Sequence, residues 1–327
     1  MNPLCSLTEK LVGRRVVVLG DLVADVFSYG EISRVSREAP VLILNHRETQ
    51  LVPGGGANAI HNLRTLGADP IPVGVVGNDA EGQLLSHSLS KLGIDTDGIV
   101  VSKSYRTPTK TRILAGAVHS QRQQIVRMDS GEPLNDAKTQ RVIERQFRRV
   151  MKDADALLIS DYGYGLVTPA LVDNRVRRAI PVTIDSRFSL GQFVGLTAAT
   201  PNESEVEATL GISIGNDLAK LEWAGRTLLR KLKHEAVLIT RGKSGMALFE
   251  RGKKTQHLSI HGSDEFADVT GAGDTVIATF TLALAAGAGF RDAAELANFA
   301  GGIVVMKYGT RPVFFEELVK AVDGFSA

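Results

Sequence analysis

Two carboxylates flank a glycine-rich turn in the stretch DVTGAGDTV, residues 268–276. A long apolar run follows the turn and indicates that a helix begins there. Backbone N–H groups at the start of a helix are unpaired and carry about half a positive charge, so the turn predicts an anion site. Small residues such as Gly271 and Gly273 would let a phosphate group approach the backbone without meeting a side chain.

Asp274 is the unexpected residue of this stretch, because a carboxylate beside an anion site would repel the anion. A general base that takes a proton from a hydroxyl attacking the bound phosphate would explain its position, and such a base typically contributes a factor of roughly 10² to 10⁴. An acidic residue in the first turn of a helix is also favoured by the helix dipole alone. The motif by itself leaves both interpretations open.

Three further motifs combine glycine or polar residues with a predicted turn. LVPGGGANAI (residues 51–60) is a second glycine loop that enters a helix, and its Asn58 can hydrogen-bond a polyol. TPNESEVE (200–207) places Asn202 and Glu205 three positions apart at a helix start, where their oxygens suit Mg²⁺ held through water. ITRGKSG (239–245) ends a predicted strand in a turn suited to a nucleotide.

Apolar runs of strand length alternate with amphipathic segments of helix length along the chain. Strands without polar residues suit a parallel sheet covered on both faces, so the alternation predicts an α/β sandwich. The predicted strands are 16–20, 156–160, 181–185 and 236–240, and the predicted helices are 58–66, 81–92, 136–152, 169–179, 218–233, 292–307 and 315–322.

Polar residues follow several of these strands. Ligands of open α/β sheets bind beyond the carboxyl ends of the strands, so these residues predict a common site, although each one alone would also suit a helix cap. They are Asp21, Asp25, Asp161, Asp185 and Asn202. Two extended, polar regions within about 28–50 and 107–128 predict antiparallel strands outside the main sheet, forming a small lid on a single domain that spans residues 1–327.

Composition excludes several classes of protein. The chain has 38 Lys and Arg against 36 Asp and Glu, and this balance argues against general nucleic-acid binding. Cys5 is the only cysteine, which fits a reducing compartment. The N-terminus lacks a secretory pattern and the most apolar run, 275–290, is short of a membrane span. These features predict a cytoplasmic protein without a membrane partner.

The motifs PGGGANA, TPNESE, TRGKSG and DVTGAGDT occur in the order typical of one family, and the chain resembles the PfkB, or ribokinase-like, carbohydrate kinases from about Val16 onward. The resemblance implies a three-layer sandwich with a mostly parallel central sheet and a small β-strand lid, ATP as phosphoryl donor, and Mg²⁺. SRVSREAPV (33–41), TPTKTRIL (107–114) and QQIVRMD (123–129) are similar to heptose 7-phosphate kinases, as are SDYGYG and KYGT. The implied reaction is phosphorylation of O1 of D-glycero-β-D-manno-heptose 7-phosphate, in lipopolysaccharide precursor biosynthesis.

The resemblance also implies roles for individual residues. Asp274 is the expected base, and the N–H groups of Gly271, Ala272 and Gly273 form the anion hole. Asp268 and Thr270 are candidates for a monovalent cation such as K⁺, and the lid implies a homodimer. Arginine forks suit phosphate oxygens, which adds Arg112 and Arg127 to the substrate set. The substrate set is Asp25, Gly54, Gly55, Asn58, Arg112, Arg127 and Asp185; the ATP and Mg²⁺ set is Asn202, Glu205, Thr240, Gly242, Gly245 and Asn298.

The chain departs from the heptose kinases at the expected phosphate end of the substrate. Tyr164 replaces a lysine, Ser186-Arg187 replaces Pro-Lys, and AVHS (117–120) is extra sequence between two lid strands. A PfkB kinase of another sugar or of a nucleoside is therefore an alternative. A non-catalytic sugar-phosphate or nucleotide sensor is another, although Asp274 is present. An NAD-dependent oxidoreductase is a third, because GGGANA loosely fits a dinucleotide pattern, but no buried strand precedes it.

Overall fold

A nine-stranded sheet forms the centre of the part of the chain described by the computed structural model, residues 3–116, 123–172, 180–262 and 268–324. Its strand order is β13-β12-β11-β10-β9-β8-β1-β4-β5, and all strands run in the same direction except β12, which pairs antiparallel with both β11 and β13. The strands are β1 (Arg15–Gly20), β4 (Asp69–Gly77), β5 (Ile99–Ser102), β8 (Ala156–Asp161), β9 (Val182–Ser186), β10 (Ala198–Ala199), β11 (Ala236–Thr240), β12 (Met246–Glu250) and β13 (Gln256–Leu258).

Helices cover both faces of this sheet, which explains why its strands are continuous apolar runs. In β1, Val16 and Val18 belong to one buried cluster and Val17 and Leu19 to the other. The first cluster includes side chains of α1 (Pro3–Glu9), α2 (Gly56–Thr65), α3 (Ala80–Lys91), α7 (Ala272–Ala285), α8 (Phe290–Val305) and α9 (Phe315–Gly324). The second includes side chains of α4 (Ala137–Val150), α5 (Glu203–Leu210) and α6 (Leu218–Leu232).

A second sheet of four strands, which we call the lid, stands beside the main sheet in the order β3-β2-β6-β7. Its strands are β2 (Leu22–Val35), β3 (Leu42–Gly55), β6 (Thr109–Gly116) and β7 (Gln123–Ser130). The predicted antiparallel pairing is confirmed for β2 with β3 and for β6 with β7, whereas β2 and β6 pair in parallel. The chain passes through α2, β4, α3 and β5 between them, which is the crossover that a parallel pair requires.

The predicted α/β sandwich with a lid is confirmed, and the predicted helices within the described residues correspond to α2, α3, α4, α6, α8 and α9. The insertion 117–120 and most of the predicted helix 169–179 lie outside the described residues. None of the helices in the described ranges combines the length and apolar character that crossing a membrane requires. The assignment of residues 1–327 to a single domain stays a prediction.

Candidate active site

Asp274 lies in the first turn of α7 with its side chain buried. Its Oδ2 accepts a hydrogen bond from Nδ2 of Asn58 at 2.9 Å, and its Oδ1 accepts one from the hydroxyl of Tyr162 at 2.8 Å. Asn58 belongs to α2 and Tyr162 follows the end of β8. The carboxylate is therefore held by donors from two other parts of the chain, and not only by its own helix.

The surroundings of Asp274 raise the pKa of its carboxyl group to about 6, because burial disfavours the charged form. The hydrogen bonds from Asn58 and Tyr162 and the positive charge of Lys110 act in the opposite direction. At neutral pH the group is therefore mostly ionised, yet it is a stronger base than an exposed aspartate. A pKa close to the working pH is the property that suits a general base.

The turn before Asp274 depends on a glycine at position 271. Gly271 has a φ of 79°, in the left-handed region, and a Cβ there would lie 2.6 Å from Nδ2 of Asn58. Among the described residues, the N–H groups of Gly271 and Gly273 have no acceptor, whereas the N–H of Ala272 donates to the carbonyl oxygen of Val269 at 3.3 Å. Two N–H groups at a helix start are thus available to an anion.

A polar cavity of about 640 Å³ opens beside Asp274, between the lid and the main sheet. Four cationic side chains line it: Lys110, Arg112, Arg127 and Arg187. Nη1 of Arg112 lies 2.7 Å from Oδ1 of Asp25, and both side chains are buried. The remaining cations are spread around the cavity, which gives it the capacity to hold an anionic group.

The four cations differ in how firmly they are held. Arg127 is half exposed and forms two hydrogen bonds with the carboxylate of Asp129, at 2.9 and 3.0 Å. Arg187 is exposed. Lys110 is buried, with Nζ 4.3 Å from the centre of the Tyr162 ring, and burial lowers the pKa of its ammonium group. Lys110 is therefore the cation built most closely into the surroundings of Asp274.

A second, apolar cavity of about 130 Å³ lies on the other side of the α7 N-terminus. Its walls include Met246, Ile260 and Val276, and the predicted nucleotide residues Thr240, Gly242, Gly245 and Asn298 all line it. Thr240, Val269 and Gly273 line both cavities. The two cavities therefore meet at the turn that precedes Asp274.

Asn202 and Glu205 form a capping box at the start of α5. Oδ1 of Asn202 accepts the N–H of Glu205, and Oε2 of Glu205 accepts the N–H of Asn202, each at 2.9 Å. Both residues also line the polar cavity, and within the described ranges Oε1 of Glu205 has no hydrogen-bond donor. A carboxylate oxygen that remains free fits a hard cation such as Mg²⁺.

Most of the polar residues predicted at the strand ends lie around the same cavity. Asp25, Asp161, Asp185 and Asn202 line the polar cavity, although Asp25 lies within β2 and not in a loop. Burial and the negative charge of Glu205 raise the pKa of Asp185 well above its usual range. Asp21 is not part of the cavity lining, and its Oδ2 accepts the backbone N–H groups of Tyr162 and Tyr164.

Gly54 and Gly55 of the 53–59 motif leave space that a side chain would fill. A Cβ on Gly54 would lie 2.7 Å from Oδ2 of Asp25, so glycine lets that carboxylate pack against β3. Gly55 has a φ of 54° and precedes α2. Both glycines thus shape the wall of the site, and Gly55 also lines the cavity itself.

The carboxylate of Asp268 is engaged within its own turn and with the segment after α8. Oδ1 accepts the backbone N–H and the hydroxyl of Thr270, and Oδ2 accepts the N–H of Gly309 at 3.0 Å. Across the described ranges, no group of three or more His, Cys, Asp and Glu side chains is arranged to hold a metal ion. The assignment of Asp268 and Thr270 to a monovalent cation stays a prediction.

The residues that depart from the heptose kinases have identifiable contacts. The hydroxyl of Ser186 donates to Oδ2 of Asp161 at 2.7 Å, and that oxygen also accepts from Ser189. The guanidinium carbon of Arg187 lies 5.8 Å from the centre of the Phe188 ring. Tyr164 contributes its backbone N–H to Asp21. Ser186 therefore supports the end of β8, while Arg187 faces the cavity.

Sequence reasoning missed two side chains of the site, namely Tyr162, which contacts Asp274, and Thr310, which contacts Asp25. The hydroxyl of Thr310 donates to Oδ2 of Asp25 at 3.3 Å. Both residues lie in motifs that the sequence comparison drew attention to, SDYGYG and KYGT, but neither motif suggests which atom its residues would contact.

Comparisons with known proteins agree with this arrangement. The chain matches the pfkB family of carbohydrate kinases over residues 14–173 and 190–316. It is 39% identical over 311 residues to the bifunctional protein HldE of Geobacter sulfurreducens, covering 93% of this chain and 62% of that protein. It is 37% identical over 325 residues to the bifunctional protein HldE of Coxiella burnetii, covering 98% of this chain and 66% of that protein. The chain thus spans somewhat less than two thirds of these relatives.

Solved structures share the fold at lower sequence identity. Arabidopsis thaliana ribokinase complexed with ribose and ATP aligns over 95% of this chain and 99% of its own, with a TM-score of 0.72 and 22% identity. Escherichia coli phosphofructokinase-2 in complex with potassium aligns over 97% and 100%, with a TM-score of 0.75 and 19% identity. The chain belongs to the pfkB carbohydrate kinase family and is a phosphotransferase that acts on a sugar hydroxyl group.

Proposed function

We propose that the protein transfers the γ-phosphoryl group of ATP to O1 of D-glycero-β-D-manno-heptose 7-phosphate. The observation that carries the kinase chemistry is the position of Asp274, a buried carboxylate with a pKa of about 6 where the polar and apolar cavities meet. A base at this junction can reach a hydroxyl in one cavity while the donor extends from the other.

The apolar cavity supports ATP as the donor. Met246, Ile260 and Val276 offer a surface for a flat heterocyclic base, and the amide of Asn298 lies at its edge. The shared residue Gly273 has open space above its Cα, because a Cβ there would meet no atom closer than Oδ2 of Asp185 at 3.9 Å. A triphosphate can therefore pass from the apolar cavity over the N-terminus of α7 to the polar cavity.

The polar cavity supports an acceptor that already carries a phosphate. Asp25 neutralises Arg112, and Asp129 pairs with Arg127, whereas Lys110 and Arg187 add positive charge to the same walls. A guanidinium group can donate two parallel hydrogen bonds to two oxygens of one phosphate. The similarity of the lid motifs to heptose 7-phosphate kinases, together with the HldE relatives, supports the heptose as the acceptor.

The chemistry follows from these positions. Asp274 accepts the proton of the acceptor hydroxyl, whose oxygen forms a bond to the γ-phosphorus while the bond from that phosphorus to the β-γ bridging oxygen breaks. ADP leaves with the electron pair, and the N–H groups of Gly271 and Gly273 stabilise negative charge on the transferred group. Asn202 and Glu205 would hold Mg²⁺ near the phosphates, and the ion would neutralise part of their charge.

The single cysteine supports the further proposal of a cytoplasmic protein, and the lid supports that of a homodimer. Several apolar side chains of the lid are exposed, among them Val35 (58%), Val126 (45%) and Met128 (53%). A second copy of the chain that packs against the lid would cover them. Light scattering on the purified protein would give twice the chain mass, and a monomeric mass at micromolar concentration would contradict this proposal.

Asp274→Asn tests the proposed function most directly. We expect kcat for the heptose phosphate with Mg·ATP to fall by about 10² to 10⁴. Asp292→Asn is the matched control, because Asp292 is the acidic residue in the first turn of α8 and lies outside both cavities. Near-normal turnover by Asp274→Asn would contradict the assignment of the base.

The acceptor is tested separately with the unaltered protein. ADP release would be measured with the heptose 7-phosphate, ribose, fructose, fructose 6-phosphate and a nucleoside. Selective turnover of the heptose phosphate is expected. If another acceptor is preferred, the kinase assignment stands and the heptose assignment is wrong. If ATP binds but no acceptor reacts, the sensor alternative is favoured.

A further inference from the structure

Two donors hold the two oxygens of Asp274 separately. The hydroxyl of Tyr162 donates to Oδ1 at 2.8 Å, and Nδ2 of Asn58 donates to Oδ2 at 2.9 Å. Donors on different oxygens restrict rotation of the carboxylate about its Cβ–Cγ bond. Each oxygen still has a lone pair to accept a proton, so the pair of donors orients the carboxylate without blocking it.

The ring of Tyr162 is itself held in place from several directions. Its backbone N–H donates to Oδ2 of Asp21 at 2.8 Å, and Nζ of Lys110 lies 4.3 Å from the ring centre on the side of the lid. On another side, a Cβ on Gly55 would lie 3.2 Å from Cε2 of Tyr162, so a side chain at that position would press on the ring. These contacts therefore restrict the position of the Tyr162 ring.

The protonation states of Tyr162 and Asp274 suit a hydrogen-bond donor and its acceptor. Burial, followed by the negative charge of Asp274, raises the pKa of Tyr162 well above its usual range, so its hydroxyl keeps its proton at neutral pH. The hydrogen bond from Tyr162 in turn lowers the pKa of Asp274 from the level that burial alone would impose. The pair thus consists of a phenol O–H and a carboxylate.

From this geometry we propose that Tyr162 is a positioning residue for phosphoryl transfer: its hydroxyl holds the carboxylate of Asp274 in the orientation that accepts the acceptor's proton. The inference rests on the proposed role of Asp274 as the base. Tyr162 itself gains and loses no proton in the reaction. Its contribution is made through Asp274, and the pH dependence of the reaction should therefore reveal it.

Tyr162→Phe keeps the ring and removes only the hydroxyl. We expect the single-turnover rate at its alkaline plateau to fall about tenfold, with little change in the Kd of ATP. The acidic limb of the rate–pH profile should move upward by about one pH unit, the order expected for the loss of one hydrogen bond to a charged group. Tyr105→Phe removes another buried hydroxyl outside the polar cavity and should leave the profile unchanged.

A variant with 3-fluorotyrosine at position 162 provides a second measurement that keeps the packing of the ring. Its hydroxyl is a stronger donor, so the acidic limb should move downward, opposite to its movement in Tyr162→Phe. The comparison of the fluorinated variant with the unaltered protein remains decisive if Tyr162→Phe folds poorly.

The outcomes separate the two proposals. If Asp274→Asn loses turnover while neither change at Tyr162 moves the acidic limb, the positioning role is overturned and the base assignment stands. If Asp274→Asn retains turnover, the proposed function itself is wrong, and the role of Tyr162 falls with it. Opposite shifts in the two Tyr162 variants support the inference.

Discussion

The buried ion pair between Arg112 and Asp25 leads to a quantitative prediction about the lid. Only 9% of the Arg112 side chain and 7% of the Asp25 side chain are exposed, and Nη1 lies 2.7 Å from Oδ1. Arg112→Met keeps most of the apolar volume, which packs near the Phe27 ring, but leaves the Asp25 carboxylate without its partner. Removal of one partner from a buried pair costs about 3–5 kcal/mol of unfolding free energy.

Two neighbours place the expected cost at the lower end of that range. Lys110 is close enough to interact electrostatically with Asp25, and the hydroxyl of Thr310 donates to Oδ2 at 3.3 Å. Both remain in Arg112→Met and partly compensate the carboxylate. We therefore expect a loss of about 3 kcal/mol.

Urea unfolding followed by far-ultraviolet circular dichroism would measure this loss at pH 7. Arg127→Met is the matched control, because its pair with Asp129 is 44% and 41% exposed and should contribute no more than about 1 kcal/mol. The double variant Asp25→Asn/Arg112→Met should be more stable than Arg112→Met, since no uncompensated charge remains. If Arg112→Met costs no more than Arg127→Met, the pair is not buried as described and the reasoning fails.

Two further variants test the turn and the buried carboxylates. Gly271→Ala should lower turnover at least tenfold, because its Cβ would press on Asn58. Gly287→Ala is the control, since its φ is 88° but the space around it is open, and it should lose only about 1–2 kcal/mol of unfolding free energy from the strained backbone. Equal turnover in the two variants would contradict this prediction. Burial raises the pKa of Asp21 to about 6, so the folded state keeps a proton that the unfolded state releases, and stability is lost as pH rises from about 4 to 6. Asp21→Asn should therefore reduce the difference in unfolding free energy between pH 4 and pH 7.5 by roughly 2–3 kcal/mol, and an unchanged difference in urea titrations would refute the assignment.

The central strands could be predicted from the sequence because each of their residues faces an apolar layer. β1 is the example, with alternate valines in opposite clusters. β4 was not predicted, since Pro70 and Pro72 interrupt its pattern. These prolines pair with β1, while β5 pairs with β4 only from Gly74 onward. The prolines thus occupy a part of the strand with one neighbour, where a missing N–H group is tolerated.

The candidate site was predictable where its residues lie in one motif and unpredictable where they meet across the fold. The turn at 271–273 and Asp274 follow from local helix geometry, as does the capping box of Asn202 and Glu205. The contact between Tyr162 and Asp274 joins residues 112 positions apart. It depends on where the loop after β8 passes the N-terminus of α7, and no local pattern determines that.

The comparison of Asp274 with Asp292 shows what this longer-range arrangement adds. Both are acidic residues in the first turn of a helix, and their position in the helix alone does not distinguish them. Asp274 is buried, and donors from α2 and from the loop after β8, together with Lys110 of β6, oppose the effect of burial on its pKa. Without these groups, burial would raise the pKa of the carboxyl further and favour its protonated form, which accepts no proton. Without burial, the carboxylate would be ionised but weakly basic. The properties of a base at position 274 therefore arise from four separate segments that the fold brings together.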